Sequence, residues 1–222
     1  AMKNGNLMLS GSSLESTIPV TRDTTKFVFW SLQPGCWSSD SSSFFALCRD
    51  ASSVHRLPIV DYLSAVETET YHPYVKAGTA FAKLDLVIFR VPDGQRTKVD
   101  LGPDEDLHVF PIGWREGKDE LLYLRLNREA TRLDLMAADA TSGTSRVILT
   151  ETQETFVGGL DFIIGGWRET FTPIPGTDRF LWISERDGWR HAYQYDYSGT
   201  LIGQVTRGDV PVLRRVHGDT DR

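Results

Sequence analysis

Long hydrophobic runs are what this 222-residue chain most clearly lacks. No apolar stretch approaches the roughly 20 residues that a membrane-spanning helix requires, so we expect no membrane segment in it. The apolar core of a signal peptide is also missing near the N-terminus, where Ala1 ahead of Met2 is typical of an expression scar. Because a signal would lie upstream, the compartment stays open, and a periplasmic and a cytoplasmic location both fit.

Runs of basic residues are absent as well. The formal net charge is −6, and the Lys and Arg residues are scattered among acidic ones. A nucleic-acid-binding protein usually presents a basic face, so we expect no nucleic-acid partner. Hydrophobic residues make up 40% and charged residues 24% of the chain, which is typical of a folded globular protein and excludes the disordered class.

Cysteine is scarce, with Cys36 and Cys48 as the only two. They could form one disulfide in an oxidising compartment, but the interpretation as two buried thiols is favoured. Two cysteines cannot make a disulfide framework, and together with His55 they show no zinc-binding spacing. The remaining histidines are isolated from one another in sequence, so we expect neither a metal site nor another cofactor.

Aromatic and turn-forming residues, by contrast, are plentiful: aromatics make up 11% of the chain, and there are 19 glycines. Short apolar runs alternate with turn pairs such as Asp93-Gly94 and Ser198-Gly199. Leu133–Ala140 is the one run that also permits a helix. The pattern predicts an all-β chain, with strands at 27–30, 44–48, 84–89, 121–126, 133–137, 145–149, 180–183, 192–196 and 201–205.

One order of features occurs twice in the sequence. Residues 120–150 and 179–206 each read as a strand, a loop, a strand ending in Asp, a turn with Gly and a further strand. This order makes up most of a four-stranded antiparallel propeller blade. A less exact copy spans residues 44–99 and contains a long insertion at 60–83.

The repeat predicts the fold class and the domains. The fold is a partial β-propeller of four-stranded antiparallel blades, with roughly three blades plus an N-terminal remnant. Residues 1–25 are expected to form a tag or loose arm, with at most a single edge strand at Leu7–Leu9. Residues 26–222 form the arc, in blade-like units at about 26–102, 103–155 and 156–216. Three blades cannot close a ring, so we expect homo-oligomers to form through the open propeller edge.

Segment 182–196 carries a family resemblance. Its Ser184-Glu185, Asp187-Gly188, Arg190-His191 and Tyr195-Asp196 pairs resemble a signature of the N-terminal propeller of the dipeptidyl peptidase IV family, in the prolyl oligopeptidase clan of S9 serine peptidases. Segments 36–41, 71–78, 126–133 and 204–209 resemble other motifs of that propeller. Val210 stands where the family usually has Trp. The resemblance extends over about 37–216.

The resemblance implies a parent peptidase with a hydrolase domain that removes N-terminal dipeptides, typically after Pro or Ala. This chain has no G-x-S-x-G nucleophile elbow, so we expect no catalytic residues and no enzyme activity in it. The family's paired Glu residues for the peptide amino terminus would fall near residues 10–35. No such pair occurs there, since Glu15, Asp23 and Asp40 are isolated.

Two groups of site residues follow from the resemblance. Relatives place an aromatic–Arg pair near a strand entry close to the substrate, which assigns Trp167 and Arg168 to substrate binding. The second group is the structural signature: Ser184, Glu185, Arg186, Asp187, Gly188, Arg190, His191 and Asp196. For this charged segment, a hairpin turn held by ion pairs and turn hydrogen bonds is favoured over a catalytic cluster.

Three other features are given structural interpretations. Trp114, Trp182 and Trp189 are interpreted as packing between blades in preference to a ligand platform. Residues 104–106 are acidic and are interpreted as a solvated loop, because calcium needs more oxygen ligands than three adjacent residues supply. The glycine pairs at 158–159 and 165–166 lack the context of a phosphate-binding loop.

Two hypotheses for the function result. In the first, the chain is a non-catalytic, substrate-gating propeller segment of a dipeptidyl-peptidase-IV-like serine exopeptidase. In the second, it is a stand-alone propeller-like module that binds protein through its loops, with no linked hydrolase. A hydrolase domain encoded beyond Arg222 would support the first, and blades alone would support the second.

Overall fold

The computed structural model describes residues 2–10, 17–91, 93–158 and 166–212. The chain divides into two compact units. The first comprises Ala1–Leu107 and Thr141–Gly143, and the second comprises His108–Ala140 and Thr144–Arg222. The described part contains seventeen strands and one short helix. Their bounds are β1 Met2–Lys3, β2 Asn6–Ser10, β3 Thr17–Pro19, β4 Val28–Ser31, β5 Ser43–Asp50, β6 Arg56–Asp61, β7 Thr68–Pro73, β8 Lys83–Arg90, β9 Arg96–Lys98, β10 Leu107–Trp114, β11 Glu120–Asn127, β12 Arg132–Asp139, β13 Ser145–Thr152, α1 Trp167–Thr170, β14 Phe171–Ile174, β15 Arg179–Ser184, β16 His191–Asp196 and β17 Leu201–Gln204.

The first unit contains a four-stranded sheet in the order β4-β5-β8-β9 and a small sheet in the order β1-β2-β3. Trp30, Phe44 and Phe89 form its aromatic core, with the Phe44 and Phe89 rings stacked at 4.9 Å. Leu7 is 1% exposed and belongs to the same cluster. The segment predicted as a loose arm or a single edge strand therefore contributes β2, the central strand of its sheet.

The predicted insertion at 60–83 overlaps a two-stranded hairpin, β6-β7, that the sequence pattern did not predict. Every residue of β7 is exposed, as are five of the six residues of β6. Because the hairpin buries little apolar surface of its own, alternation of apolar and polar residues gives no signal there.

The second unit contains two four-stranded sheets, in the orders β10-β11-β12-β13 and β14-β15-β16-β17. β12 is buried at six consecutive positions and pairs antiparallel with β11 along seven residues. The segment that also permitted a helix is thus a strand, since sheet neighbours on both sides satisfy its backbone. One core cluster, which includes Leu133, Phe180, Trp182 and Tyr195, draws residues from both sheets.

The prediction of an all-β fold built on four-stranded antiparallel sheets is confirmed, with α1 as the only helix among the described residues. Two strands of the second unit, β10 and β14, were not predicted. Both contain proline, at Pro111 and Pro173, and both are the first strand of their sheets. An edge strand tolerates proline because one side of it has no ladder partner.

The two cysteines are not joined by a disulfide. Cys36 is buried, whereas Cys48 is half-buried. Burial, reinforced by the negative charges of Asp23, Asp85 and Asp50, raises the pKa of Cys48 to about 11. The favoured interpretation as two buried thiols therefore agrees with the structure for Cys36, whereas Cys48 is only partly buried.

Candidate functional site

The signature segment forms the turn between β15 and β16. Ser184 and His191 are cross-strand partners at the base of this turn. The Gly188 N–H donates to the Glu185 carbonyl oxygen at 3.0 Å, and Gly188 adopts a φ of +92°. Only glycine takes up such a φ at little cost, so the Asp187-Gly188 pair sets the shape of the turn.

A buried carboxylate on the other sheet anchors this turn. Glu151 lies in β13 and is 6% exposed. Its carboxylate accepts hydrogen bonds from Trp182 Nε1 at 2.9 Å, from the Ser184 hydroxyl and from Arg186 Nη2 at 2.9 Å. A buried charge is tolerated when it is paired and fully hydrogen-bonded. Glu151 therefore joins the two sheets of the second unit at the signature.

Arg186 is the cation of this arrangement. Its Nε donates to Ser184 Oγ at 2.8 Å and its Nη1 donates to the Tyr195 hydroxyl. The guanidinium also lies 4.4 Å from the centroid of the Tyr193 ring. Burial opposes the charged form, but the hydrogen bond to Tyr195 and the negative charge of Glu151 outweigh it and raise the pKa of Arg186.

The Asp187 carboxylate accepts hydrogen bonds from three different residues. It accepts hydrogen bonds from the Tyr193 hydroxyl at 2.9 Å, from Gln204 Nε2 at 2.9 Å and from the Trp189 N–H at 3.2 Å. Desolvation opposes ionisation, but these hydrogen bonds outweigh it and lower the pKa of Asp187. Its carboxylate is thus committed to bonds with the β15–β16 hairpin and with β17.

The rest of the signature makes similar bonds. The two ring nitrogens of His191 contact Thr206 Oγ1 at 3.1 Å and the Gly208 carbonyl oxygen at 2.9 Å. Asp196 accepts the backbone N–H groups of Ser198 and Thr200 in the next turn, at 2.9 and 3.0 Å. These contacts fix the ends of β16.

Trp167 and Arg168 lie in α1, at the entry to β14. The Arg168 guanidinium lies 4.5 Å from the centroid of the Trp167 ring, and that ring lies 5.4 Å from the Phe110 ring. Trp167 is half-buried and packs against the core cluster, whereas Arg168 is exposed. The Trp167 ring is therefore held by its packing against the core, and the Arg168 guanidinium lies over this ring at the surface.

An ion pair brings α1 next to the signature turn. Arg190 Nη2 lies 3.7 Å from a carboxylate oxygen of Glu169. A cleft between α1 and the signature turn is lined by residues that include Glu151, Thr170, Ser184 and Arg190. Its volume of about 20 Å³ is enough for one water molecule. The cleft is thus too small for a peptide, whereas Arg168 and Trp189 are exposed at the surface beside it.

The remaining predicted features are separate from one another. Trp182 is fully buried in the core, whereas Trp189 is 41% exposed, so the packing interpretation does not hold for Trp189. Glu105 in the acidic loop lies 3.9 Å from Lys83. No group of three or more metal-ligating side chains occurs among the described residues. Gly159 and Gly165 lie outside them, as does the segment after residue 212.

Glu151 is the site residue that the sequence pattern missed. The predicted strand at 145–149 ends before Glu151, and nothing in the sequence around it distinguishes this acid from a solvated one. The available signal was indirect: a strand with Trp182 and Ser184 on its buried face needs a polar partner for each.

No helix in the described part is both long and apolar enough to cross a membrane.

Comparison with known proteins agrees with this fold. Residues 28–222 match the family described as dipeptidyl peptidase IV (DPP IV) N-terminal region. Dipeptidyl peptidase 4 of Trichophyton equinum is 24% identical over 157 residues, which is 70% of this chain and 20% of the relative. The corresponding protein of Trichophyton rubrum is 24% identical over 159 residues, with the same two shares. The chain thus spans about a fifth of the length of these curated relatives.

A solved structure extends the likeness to the fold. The crystal structure of Porphyromonas gingivalis dipeptidyl peptidase 4 superposes with a TM-score of 0.82 at 22% sequence identity, covering 96% of this chain and 31% of that one. The fold is therefore that of a partial β-propeller of four-stranded antiparallel sheets. Because the family match covers most of the sequence, this chain belongs to the dipeptidyl peptidase IV N-terminal region family.

Proposed function

We propose that this chain is a non-catalytic, substrate-gating segment of the propeller of a serine exopeptidase that removes dipeptides from peptide N-termini, typically after Pro or Ala. The family match over residues 28–222 carries this proposal. The relatives are dipeptidyl peptidases, so peptides are the substrate class that follows. The catalytic residues belong to a hydrolase domain outside this chain.

The bonds of the signature support a non-catalytic role. A nucleophilic serine needs a general base within hydrogen-bonding distance. It must also be accessible to the substrate. Ser184 does bond to a carboxylate, that of Glu151, but this carboxylate is ion-paired with Arg186, and Ser184 is only 4% exposed. His191 bonds to Thr206 and Gly208 and not to a serine. We assign the signature residues to holding the hairpin and joining the two sheets.

Trp167 and Arg168 are the residues that we assign to substrate contact. An exposed guanidinium presents several N–H donors in a fixed fork, which suits the carbonyl oxygens of an extended peptide. The packing of Trp167 against Phe110 supplies a fixed base for that cation. The pair would orient a peptide without taking part in bond cleavage.

Hydrolysis of Gly-Pro p-nitroanilide by this chain and by the full-length protein tests the proposal. We expect release of nitroaniline by the full-length protein and none by this chain. Hydrolysis by this chain alone would contradict a non-catalytic role. If neither preparation hydrolyses this substrate or anilides with other dipeptides, the interpretation as a protein-binding module takes its place.

A further inference from the structure

The ion pair between Arg190 and Glu169 joins the signature turn to α1. Arg190 Nη2 lies 3.7 Å from a carboxylate oxygen of Glu169, and the two side chains are 27% and 39% exposed. The pair is therefore partly shielded from water. Glu169 directly follows Arg168, the residue to which substrate contact is assigned. Because the two are neighbours on one helical turn, whatever fixes Glu169 also affects where Arg168 lies.

α1 is too short to be stable by itself. It comprises only Trp167–Thr170, and no side-chain hydrogen bond caps its N-terminus. An isolated helix in water needs several times this length. Its inner side is fixed by the core, since Trp167 packs against the core cluster and Thr170 is 7% exposed. Its outer side carries Arg168, which is exposed, and Glu169, which is half-buried. The orientation of this outer side therefore depends on contacts with other segments.

Arg190, by contrast, belongs to a segment that is held on both sides. Its carbonyl oxygen accepts the Val212 N–H at 2.7 Å. The next residue, His191, is 2% exposed and has both ring nitrogens in hydrogen bonds. On the other side of the turn, the buried carboxylate of Glu151 holds Arg186 at 2.9 Å. The Arg190 guanidinium thus extends from a fixed backbone toward the outer side of α1.

We propose that Arg190 is a positioning residue for the substrate site. Its ion pair with Glu169 fixes the orientation of α1 and so holds the Arg168 guanidinium where a peptide can accept its hydrogen bonds. The inference rests on the proposed function, because Arg190 acts on the peptide only through Arg168. It gives the signature turn a task beyond the hairpin itself. Arg190 makes no contact with the peptide in this role, so its loss affects binding and not bond cleavage.

Steady-state kinetics of the full-length enzyme with Gly-Pro p-nitroanilide test the proposal. We expect Glu169→Gln and Arg190→Gln each to raise KM about threefold, since a partly exposed ion pair contributes modestly. The value of kcat should stay the same, because only binding is affected. Glu105→Gln is the matched control: Glu105 pairs with Lys83 at a similar 3.9 Å in the other unit, and its loss should leave KM unchanged.

The double variant of Glu169→Gln and Arg190→Gln distinguishes one shared contact from two independent effects. Because either single change already breaks the pair, the double variant should raise KM no further than each single variant does. Arg190→Lys retains a cation opposite Glu169 and should recover most of the loss. Single effects that multiply in the double variant, or a fall in kcat at unchanged KM, would contradict a positioning role.

Two results separate this inference from the proposed function. If Arg168→Ala raises KM and neither Glu169→Gln nor Arg190→Gln does, the positioning role is wrong and the substrate contact stands. If the full-length protein hydrolyses no dipeptide anilide, the proposed function fails, and hydrogen–deuterium exchange of that protein still tests the ion pair. We expect Glu169→Gln to speed amide exchange over residues 167–171 and Glu105→Gln to leave it unchanged. Equal exchange in the wild type and in Glu169→Gln would overturn the inference.

Discussion

Glu151 accepts a hydrogen bond of 2.9 Å from the indole Nε1 of Trp182, which lies on the other four-stranded sheet of the same unit. Both side chains are buried. The carboxylate also holds Ser184 and Arg186, so one acidic residue satisfies three donors. The two sheets are thus joined by a buried polar contact as well as by apolar packing.

Replacing Glu151 should therefore be costly. Glu151→Ala leaves the buried Trp182 N–H and Ser184 hydroxyl without their acceptor, and we expect the free energy of unfolding to fall by about 2–3 kcal/mol. Urea denaturation followed by tryptophan fluorescence measures this change. Glu154→Ala removes an exposed carboxylate nearby and should have almost no effect. Equal losses in the two variants would contradict the role given to Glu151.

Strands and turns that depend on neighbouring residues could be predicted from the sequence. Strands and contacts that depend on residues distant in the chain could not. The β15-β16 hairpin was predictable because the alternating burial of Phe180 and Trp182 is followed by the turn pair Asp187-Gly188. β10 and β14 were missed because Pro111 and Pro173 argue against a strand until its edge position is known. Glu151 was missed because its partners lie more than thirty residues away.

Replacing Gly199 should destabilise the fold for two reasons, its φ of +89° and the close approach of another strand. A Cβ atom there would lie 2.1 Å from the carbonyl oxygen of Ile148. Gly188 has a similar φ of +92°, and a Cβ there would meet no atom within 4 Å. Gly188→Ala therefore measures the cost of the backbone conformation without a steric clash. We expect Gly188→Ala to cost about 1–2 kcal/mol and Gly199→Ala about 2–4 kcal/mol.

Thermal or urea denaturation of the two glycine variants measures the difference between them. If Gly199→Ala is no more destabilising than Gly188→Ala, the turn does not lie against Ile148 as closely as the structure indicates.

Asp134 should make stability depend on pH. Burial opposes its ionisation, but hydrogen bonds from Arg125, Thr150 and Arg132 outweigh it and lower its pKa below the ordinary 3.8. A carboxyl whose pKa is lower in the folded state contributes stability above its unfolded pKa of about 4 and loses it as pH falls through the folded value. We therefore expect the wild type to lose stability below about pH 4.

Asp134→Asn is the variant that isolates this effect. At pH 7 it should lower the free energy of unfolding by about 2–3 kcal/mol, because Arg125 loses a charged hydrogen-bond partner. The difference from wild type should shrink as pH falls below 4, since the wild-type carboxyl then becomes protonated. Urea midpoints at pH 7, 5 and 3 measure this, and a difference that stays constant would contradict it.

Arg168 provides the prediction that bears on peptide binding. In the full-length enzyme we expect Arg168→Ala to raise KM for a dipeptide anilide about tenfold, the equivalent of about 1.4 kcal/mol, because a charged donor to the peptide is lost. The value of kcat should change little, since a contact made equally in the ground state and in the transition state affects binding alone.

Arg207→Ala is the control for Arg168, because it removes another exposed guanidinium of the same unit. It should leave both KM and kcat unchanged. Trp167→Ala should resemble Arg168→Ala, since the cation 4.5 Å above that ring would lose its fixed position. If Arg168→Ala and Arg207→Ala behave alike, Arg168 is an ordinary surface charge. The peptide must then be bound by residues other than the Trp167–Arg168 pair.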